Sequence, residues 1–380
     1  MGEVKVLKVV DQHGMSDFLN VVDGIYQDCL QYVPDLKSDI KDMFDKKKNP
    51  GLEFTNVQPF VAYRGTEPVG RIVGIINHRA NKKWKTNNVR FSMIEFIDDP
   101  AVSKALITTV EEWGRDMGMD TIQGPMGITD FDKEGMLIED FQLMGTMSTI
   151  YNPAYYPIHM EQLGYQKEVD WVQIRIQVPK ELPARYARVA QYAKEQMGLR
   201  VIKLSNKDVY QYGYGKKIFD LLNKAYSPIF GYSSLTDAQA DKFIHKYLKM
   251  IDKQLIPVVV NDEQRLVGVC ITMGGMSQAM RKANGKLLPI GWYHLLKALK
   301  WRREKNAEML LIAIDPEFQG LGVNALFFED LIPIYNNYGF EWAETGPQLE
   351  DNVRELSQWK PLNPQFVKRR RCYFKKLIYK

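Results

Sequence analysis

Apolar runs of strand length alternate along this chain with stretches of helical periodicity, and the alternation occurs twice. FVAYRGTEPVGRIVGI, beginning at Phe60, is apolar, then polar over a short turn, then apolar again. VVVNDEQRLVGVCIT, beginning at Val258, has the same form, with Val-Gly soon after the turn. Each predicts a strand, a tight connection and a second strand. Phe60 corresponds to Val258 and Gly70 to Gly268, both at an offset of 198 with no gap. Three more pairs keep the same order: KVLKV from Lys5 with RVIKL from Arg200, IEFIDDP ending at Pro100 with LIAIDP ending at Pro316, and GMDTIQGP from Gly118 with GFEWAETGP from Gly339. Four segments in one order indicate a tandem duplication. Each half is expected to run strand, helices, strand pair, strand, helix, strand, helix, strand. Two prolines in VPKELPAR, residues 178–185, place the boundary there, giving domains 1–180 and 181–380.

Composition narrows the class without naming a chemistry. At 380 residues, 45% apolar and 26% charged, the chain is long enough for two or three globular domains. No apolar stretch approaches the roughly 18 residues of a membrane span. The start has no apolar signal core, and although the chain opens Met-Gly, Val6 stands where a myristoylation motif has Ser or Thr. Cys29, Cys270 and Cys372 are widely separated and odd in number, which suits reduced thiols and a cytoplasmic location. Five scattered histidines and no Cys-x-x-Cys give no support for a metal site. A net charge of +5 is compatible with anionic small molecules and does not call for nucleic acid.

The halves differ in two places. After Pro100 only AVSK precedes the helical ALITTVEEW, whereas after Pro316 the segment EFQGLGVN precedes ALFFEDL. The first half thus lacks four residues, both glycines among them. The second half also carries a long insert, roughly 274–307, in which Trp292, Leu295, Leu296 and Leu299 follow helical spacing beside Lys297, Lys300, Arg302 and Arg303. Such a basic amphipathic helix suits a membrane surface or an acidic partner, or simply packs on its own domain.

A helix N-terminus offers unpaired N–H donors and the positive end of the helix dipole, and glycines there let the backbone approach an anion. One charge so placed gains about 0.3–1 kcal/mol when exposed and up to ~2 when partly buried. A plain turn with sterically required glycine is the simpler explanation for Gly320 and Gly322. A dinucleotide fingerprint also fits Gly320, Gly322 and Ala325, but five residues, Asp315 to Gln319, separate the strand from its first glycine. Too little chain follows Glu344 for the rest of such a domain.

Taken together, the segments resemble the GNAT superfamily of acyl-CoA-dependent N-acetyltransferases, whose signature is Arg/Gln-x-x-Gly-x-Gly/Ala after a strand ending in Asp-Pro. In DPEFQGLGVN, Gln319, Gly320 and Gly322 fall in register, and Asn324 departs from the final Gly/Ala. NPAYYPIHMEQLGY, residues 152–165, has the Leu-Gly-aromatic ending seen in the family. The resemblance implies an α/β fold of tandem GNAT-like domains, each a mixed central sheet flanked by helices, as in the N-myristoyltransferase and mycothiol synthase architectures. The first half would be degenerate, without the pyrophosphate loop. The second would bind acetyl-CoA or another acyl-CoA through Gln319, Gly320, Leu321, Gly322, Val323 and Asn324, with main-chain groups of Ile312, Ala313 and Ile314 facing the thioester.

The implied activity is acyl transfer, with acetyl the group the resemblance implies, from acyl-CoA to an amine of a small molecule or peptide. Glu308, at the mouth of the strand, stands where some members carry the general base. The usual acid, a tyrosine seven residues after an asparagine, is replaced by Trp359 after Asn352. Water or Tyr373 would then have to protonate the thiolate. Tyr226, Phe230 and Tyr232 fall where the family builds its acceptor pocket. Asp130, Asp132, Glu134, Glu139 and Asp140 form an acidic stretch suited to a cationic amine or to solvent, and Lys368 to Arg371 form a basic one suited to an acidic partner or a strand edge. Two other functions stay open: a non-catalytic acyl-CoA-binding protein, and an aminoacyl-tRNA-dependent transferase, which would bind RNA with strong salt dependence.

Overall fold

The computed structural model describes residues 2–301 and 303–378, so Arg302 lies outside the described residues. In chain order the elements are β1 (Val4–Lys8), α1 (Gln12–Ile25), α2 (Lys37–Met43), β2 (Thr55–Arg64), β3 (Glu67–Asn77), α3 (His78–Trp84), β4 (Asn88–Phe96), α4 (Pro100–Asp116), β5 (Thr121–Gly124), β6 (Met136–Leu137), α5 (Tyr155–Gln162) and β7 (Gln166–Gln177). There follow α6 (Ala184–Met197), β8 (Arg200–Ile202), α7 (Asn206–Tyr210), α8 (Tyr214–Tyr226), α9 (Asp237–Phe243), β9 (Val258–Val260), β10 (Leu266–Gly274), α10 (Ser277–Ala283) and α11 (Gly291–Lys300). The chain closes with β11 (Asn306–Ile314), α12 (Val323–Tyr338), β12 (Trp342–Thr345), β13 (Gln348–Leu349), α13 (Val353–Ser357) and β14 (Gln365–Lys376).

The chain divides into two compact units. One comprises Met1–Trp171, Asn284–Leu287 and Lys368–Lys380, the other Val172–Ala283 and Leu288–Val367. The first unit's sheet runs β1-β2-β3-β4-β5-β14, with β4 and β5 parallel and the remaining pairs antiparallel. The second runs β8-β9-β10-β11-β12-β7, with β11 and β12 parallel and the rest antiparallel. The two sheets have the same order and the same single parallel pair, as a duplication requires. Five strands in each come from one half of the sequence. The sixth does not: the second unit takes residues 172–177 of β7, and the first takes β14 from Lys368 onward. The sequence division at 180/181 follows chain order, which these two strands cross.

Within each unit a helix lies close on the strand pair. Gly70 on β3 leaves room for α4, since a Cβ there would sit 2.8 Å from Leu106 Cδ1. Gly268 on β10 does the same for α12, with Val323 Cγ1 at 2.5 Å from such a Cβ. The glycines matched at an offset of 198 therefore have one shared purpose, close helix–sheet approach. Leu106, Ile107 and Val110 of α4 close over Phe60, Ile72, Phe91 and Phe96 in the first core. Val323, Leu326, Phe327 and Leu331 of α12 close over Val259, Val267 and Met309 in the second. Each such side chain contributes about 1.5–3 kcal/mol when fully buried. The long insert of the second half forms α10 and α11.

Candidate functional site

The site is built where β11 hands over to α12. Asp315 ends the strand, Pro316–Phe318 make one 3-10 turn, and Gly320 and Gly322 take φ of +84° and +91°. These left-handed conformations suit glycine and strain other residues. Gly322 is the N-cap of α12 and supplies no side-chain cap. Phe318 and Leu321 donate backward to Asp315 and Phe318 carbonyls, and Ala325 and Leu326 to Gly322. Among the described residues, no group accepts from the amides of Gln319, Gly320, Gly322, Val323 or Asn324. Five N–H donors are thus open at the positive end of a 16-residue helix. Arg354 Nη2 would lie 2.9 Å from a Cβ on Gly320, which puts a guanidinium beside the loop.

An ionic cluster fixes the strand end. Lys224 Nζ bonds both Asp315 carboxylate oxygens at 2.9 and 3.0 Å, and Arg265 Nη2 bonds Asp315 at 2.6 Å and Glu317 at 2.8 Å. Burial alone would raise the Asp315 carboxyl, but the Lys224 and Arg265 bonds outweigh it and hold it below the usual carboxylate range. Asp315 also accepts from the Glu317 amide, so the turn into the loop is held by charge-assisted bonds.

On the other side of β11 the sheet opens. β12 follows β11 in register only from Asn306↔Trp342 to Met309↔Thr345. Past Met309 the strand goes on as half-buried Leu310, Leu311 and Ile312. Tyr226, the last residue of α8, donates its hydroxyl to the Ile312 carbonyl at 3.0 Å. Its ring meets Tyr232 edge to face at 5.8 Å, and burial pushes its hydroxyl well up. Tyr232 is buried and donates to Asn223 Oδ1 at 2.7 Å, so it braces the α8–α9 connection. Phe230 is half-buried beside them in sequence.

α13 brings two side chains that the sequence alone did not single out, Arg354 and Glu355. Burial raises the Glu355 carboxyl to about 7, opposed by a bond from Gln358. A carboxyl raised toward neutrality, next in sequence to the Arg354 that stands beside the loop, is suited to moving protons. The missed signal was Asn352, which caps α13 by accepting from the Glu355 amide at 3.3 Å and so sets this short helix.

The other sequence candidates fall as follows. Glu308, the candidate base, is 2% exposed, with Glu344 of β12 and Met273 of β10 as register neighbours. Glu344 is engaged by Arg175 at 2.8 Å and by Gln173 at 3.0 Å. Trp359 is fully buried, packs on Phe328 and donates to Gln348 at 3.2 Å, a core role. Tyr373 is fully buried in the first unit, its hydroxyl pushed up to about 12 by burial.

The first unit's counterpart of the glycine loop is closed. Asp99 caps α4 with its own carboxylate, accepting from the Ala101 amide at 2.9 Å, and Arg64 binds the same side chain. A carboxylate already holds the position an anion would take. The arginines of the basic run are engaged within the same unit: Arg369 faces Glu139, Arg370 bonds Thr149, and Arg371 makes a two-point bond with Asp170 at 2.8 and 3.0 Å. Of the acidic stretch, Asp132 bonds the Thr129 amide and Asp140 the Lys368 amide. Burial raises the carboxyls of Asp130, to about 7, and Glu134, each lifted further by acidic neighbours in that stretch. This is a folded, partly buried turn and not a solvated loop.

No family model matches the chain. Two relatives are similar in sequence. Protein YghO of Escherichia coli K12 is 24% identical over 394 aligned residues, covering 97% of this chain and 94% of that one. A bacterial ceramide synthase of Caulobacter vibrioides is 28% identical over 280 residues, 73% of this chain and 72% of that one. Among solved structures, a tandem GNAT protein from the clavulanic acid biosynthesis pathway superposes with a TM-score of 0.57 at 11% identity, over the full length of both chains. A GCN5-related N-acetyltransferase from Sphaerobacter thermophilus gives 0.51 at 12% identity, over 99% of this chain and 96% of that one. The fold is that of the GNAT proteins in tandem arrangement.

Proposed function

On the premise of a tandem GNAT fold, we propose that the protein is an N-acyltransferase that moves an acyl group from acyl-CoA to an amine. The observation that carries this reading is the set of five open amides, Gln319, Gly320, Gly322, Val323 and Asn324, at the uncapped start of α12. That donor set fits a diphosphate: it joins N–H groups, a helix dipole and the Arg354 guanidinium, and residues 318–324 contain no carboxylate. When bound, acyl-CoA supplies a thioester carbonyl carbon to the attacking nitrogen.

The remaining chemistry belongs to this chain. An alkylammonium acceptor, with an ordinary pKa of about 10.4, must lose a proton before attack. Glu355 is the group suited to receive it, directly or through water, because its carboxyl titrates near neutrality. Main-chain N–H groups of Ile312–Ile314, on the strand edge that Tyr226 braces, would face the acyl oxygen. The new C–N bond forms as the C–S bond breaks. The amine proton goes to the base, and the thiolate is protonated from solvent, since Trp359 is buried and no acid.

The likeness to a ceramide synthase supports a finer reading. A ceramide is the amide of a fatty acid with a long-chain amino alcohol, so a fatty acyl-CoA donor and a long-chain amine acceptor are favoured over acetyl-CoA and a peptide. The test is incubation of the full chain with palmitoyl-CoA or acetyl-CoA and either a long-chain amino alcohol or a lysine peptide, with thiol release and amide mass as readouts. Fatty amide formation supports the reading; acetyl amide formation keeps acyl transfer and overturns the finer part. Binding without thiol release favours a non-catalytic acyl-CoA-binding protein. A folded chain that binds neither CoA ester removes the reading.

A further inference from the structure

The segment Leu288–Lys300 spends apolar side chains on solvent in a way the rest of the fold does not require. α11 packs against α10, and along it Gly291 and Ala298 are buried and Leu295, Leu296 and Leu299 half-buried. Of the stripe legible in the sequence, the three leucines are thus partly covered and Trp292 is exposed. Leu288 is 76% exposed, Ile290 62%, Trp292 50% and Tyr293 42%. Only Pro289 and Gly291 interrupt this run. Consecutive exposed apolar residues disfavour solubility and, in a folded domain, mark a surface with a use.

The stretch of sequence that carries this run has charge of one sign, while the Glu304 carboxylate accepts from the Gln278 and Ala279 amides at the start of α10. No Asp or Glu occurs between Glu263 and Glu304. Tyr293, Lys297 and Lys300 stand at i, i+4 and i+7, one face of α11, with the Lys297 ammonium 5.6 Å from the Tyr293 ring centre. Exposed Lys282 and half-buried Arg281 add cations from α10. The Trp292 indole N–H donates to the Pro289 carbonyl at 3.0 Å, which shapes the turn that presents Leu288 and Ile290.

We propose that this surface of the second unit docks on a lipid bilayer rich in anionic headgroups, lying in the interface and not crossing it. Among the described residues no helix is long and apolar enough to span a membrane. Trp and Tyr with flanking Lys are the side chains that settle at the headgroup level, their rings at the acyl boundary and their cations against phosphate. The acid-free stretch matches the negative potential of such a leaflet. A protein groove would accept the apolar run equally, but it would have to answer Lys282, Lys297 and Lys300 with acids of its own; an anionic bilayer does so without specific design. The inference uses only this surface and stands whether or not the chain transfers acyl groups.

The experiment is flotation of the full chain with vesicles of phosphatidylcholine alone or mixed with phosphatidylglycerol, at low and raised salt. Two double variants accompany it, Ile290→Ser with Trp292→Ser and Lys297→Glu with Lys300→Glu, and thermal unfolding checks that both stay folded. The expected result is flotation with the anionic vesicles only, weakened by salt, and reduced roughly tenfold or more in each variant. Equal flotation of parent and variants overturns the assignment to this surface. Equal flotation with both vesicle types overturns the charge requirement. Failure to float with either overturns the proposal, and a parent dimer that the Ile290/Trp292 variant dissociates would replace it with self-association.

Discussion

The Tyr226 hydroxyl donates to the Ile312 carbonyl at 3.0 Å, tying the end of α8 to the part of β11 that runs beyond its register with β12. Removing the hydroxyl by Tyr226→Phe takes that donor from the carbonyl. A loss of about 1 kcal/mol in unfolding free energy is expected, read from the shift of a denaturant midpoint. If the braced strand edge faces the acyl group, turnover falls while the acyl-CoA dissociation constant stays within about twofold. A variant with unchanged turnover would reduce Tyr226 to a brace.

Gly322→Ala and Gly322→Glu separate strain from charge. Both meet φ of +91° and a Cβ position 2.8 Å from Val189 Cγ1, so both lose roughly 1–2 kcal/mol or more in stability. Only the glutamate sets a carboxylate among the open amides. Calorimetry is expected to show weakened acyl-CoA binding for the alanine and none for the glutamate.

The Arg354 guanidinium lies beside Gly320. Arg354→Ala removes a charge-assisted contact of about 1.5–3 kcal/mol to phosphate, so CoA affinity should fall roughly 10- to 100-fold with stability nearly unchanged. The parent's affinity should also weaken with salt more steeply than the variant's. Equal salt slopes would count against a phosphate contact.

Glu355 sets a pH window. Its carboxyl rises from the ordinary range to about 7 in the folded chain, because burial penalises the charged form. Its protonated form is the one folding favours, so the stability it contributes is full below the unfolded carboxyl's pKa and is lost as pH rises through about 7. Glu355→Gln should therefore lose less stability than the parent between roughly pH 5 and 8. As a base, Glu355 works only when ionised, so kcat/KM should rise with pH to a plateau above about 7, and the glutamine variant should lose that step.

How much of this was legible in the chain varies by element. The duplicated order and the glycine pair follow from local spacing, and the geometry of Gly70 and Gly268 supplies a steric reason for their match. Strand exchange was not legible, because the neighbours of β7 and β14 are decided by sheet completion and not by their own residues. Arg354 and Glu355 were missed for a related reason: they sit on a five-residue helix with no periodicity of its own, more than thirty residues past the loop it serves. Glu308, the candidate base at the mouth of the strand, is buried, which its place at the start of an apolar run does not show; its flanking partners Met273 and Glu344 come from adjacent strands.

The placement of β14 bears on how the chain is made. Tyr373 pairs with Gly124 and Lys376 with Thr121, residues separated by about 250 positions. As the chain emerges from the ribosome, β5 must wait for nearly all of the second unit's sequence before its neighbour arrives. Closing so long a loop is entropically costly and slow relative to local pairing. The first unit, although first translated, is therefore expected to remain protease-sensitive in nascent chains until synthesis passes Lys376, and the two halves reach their final state together.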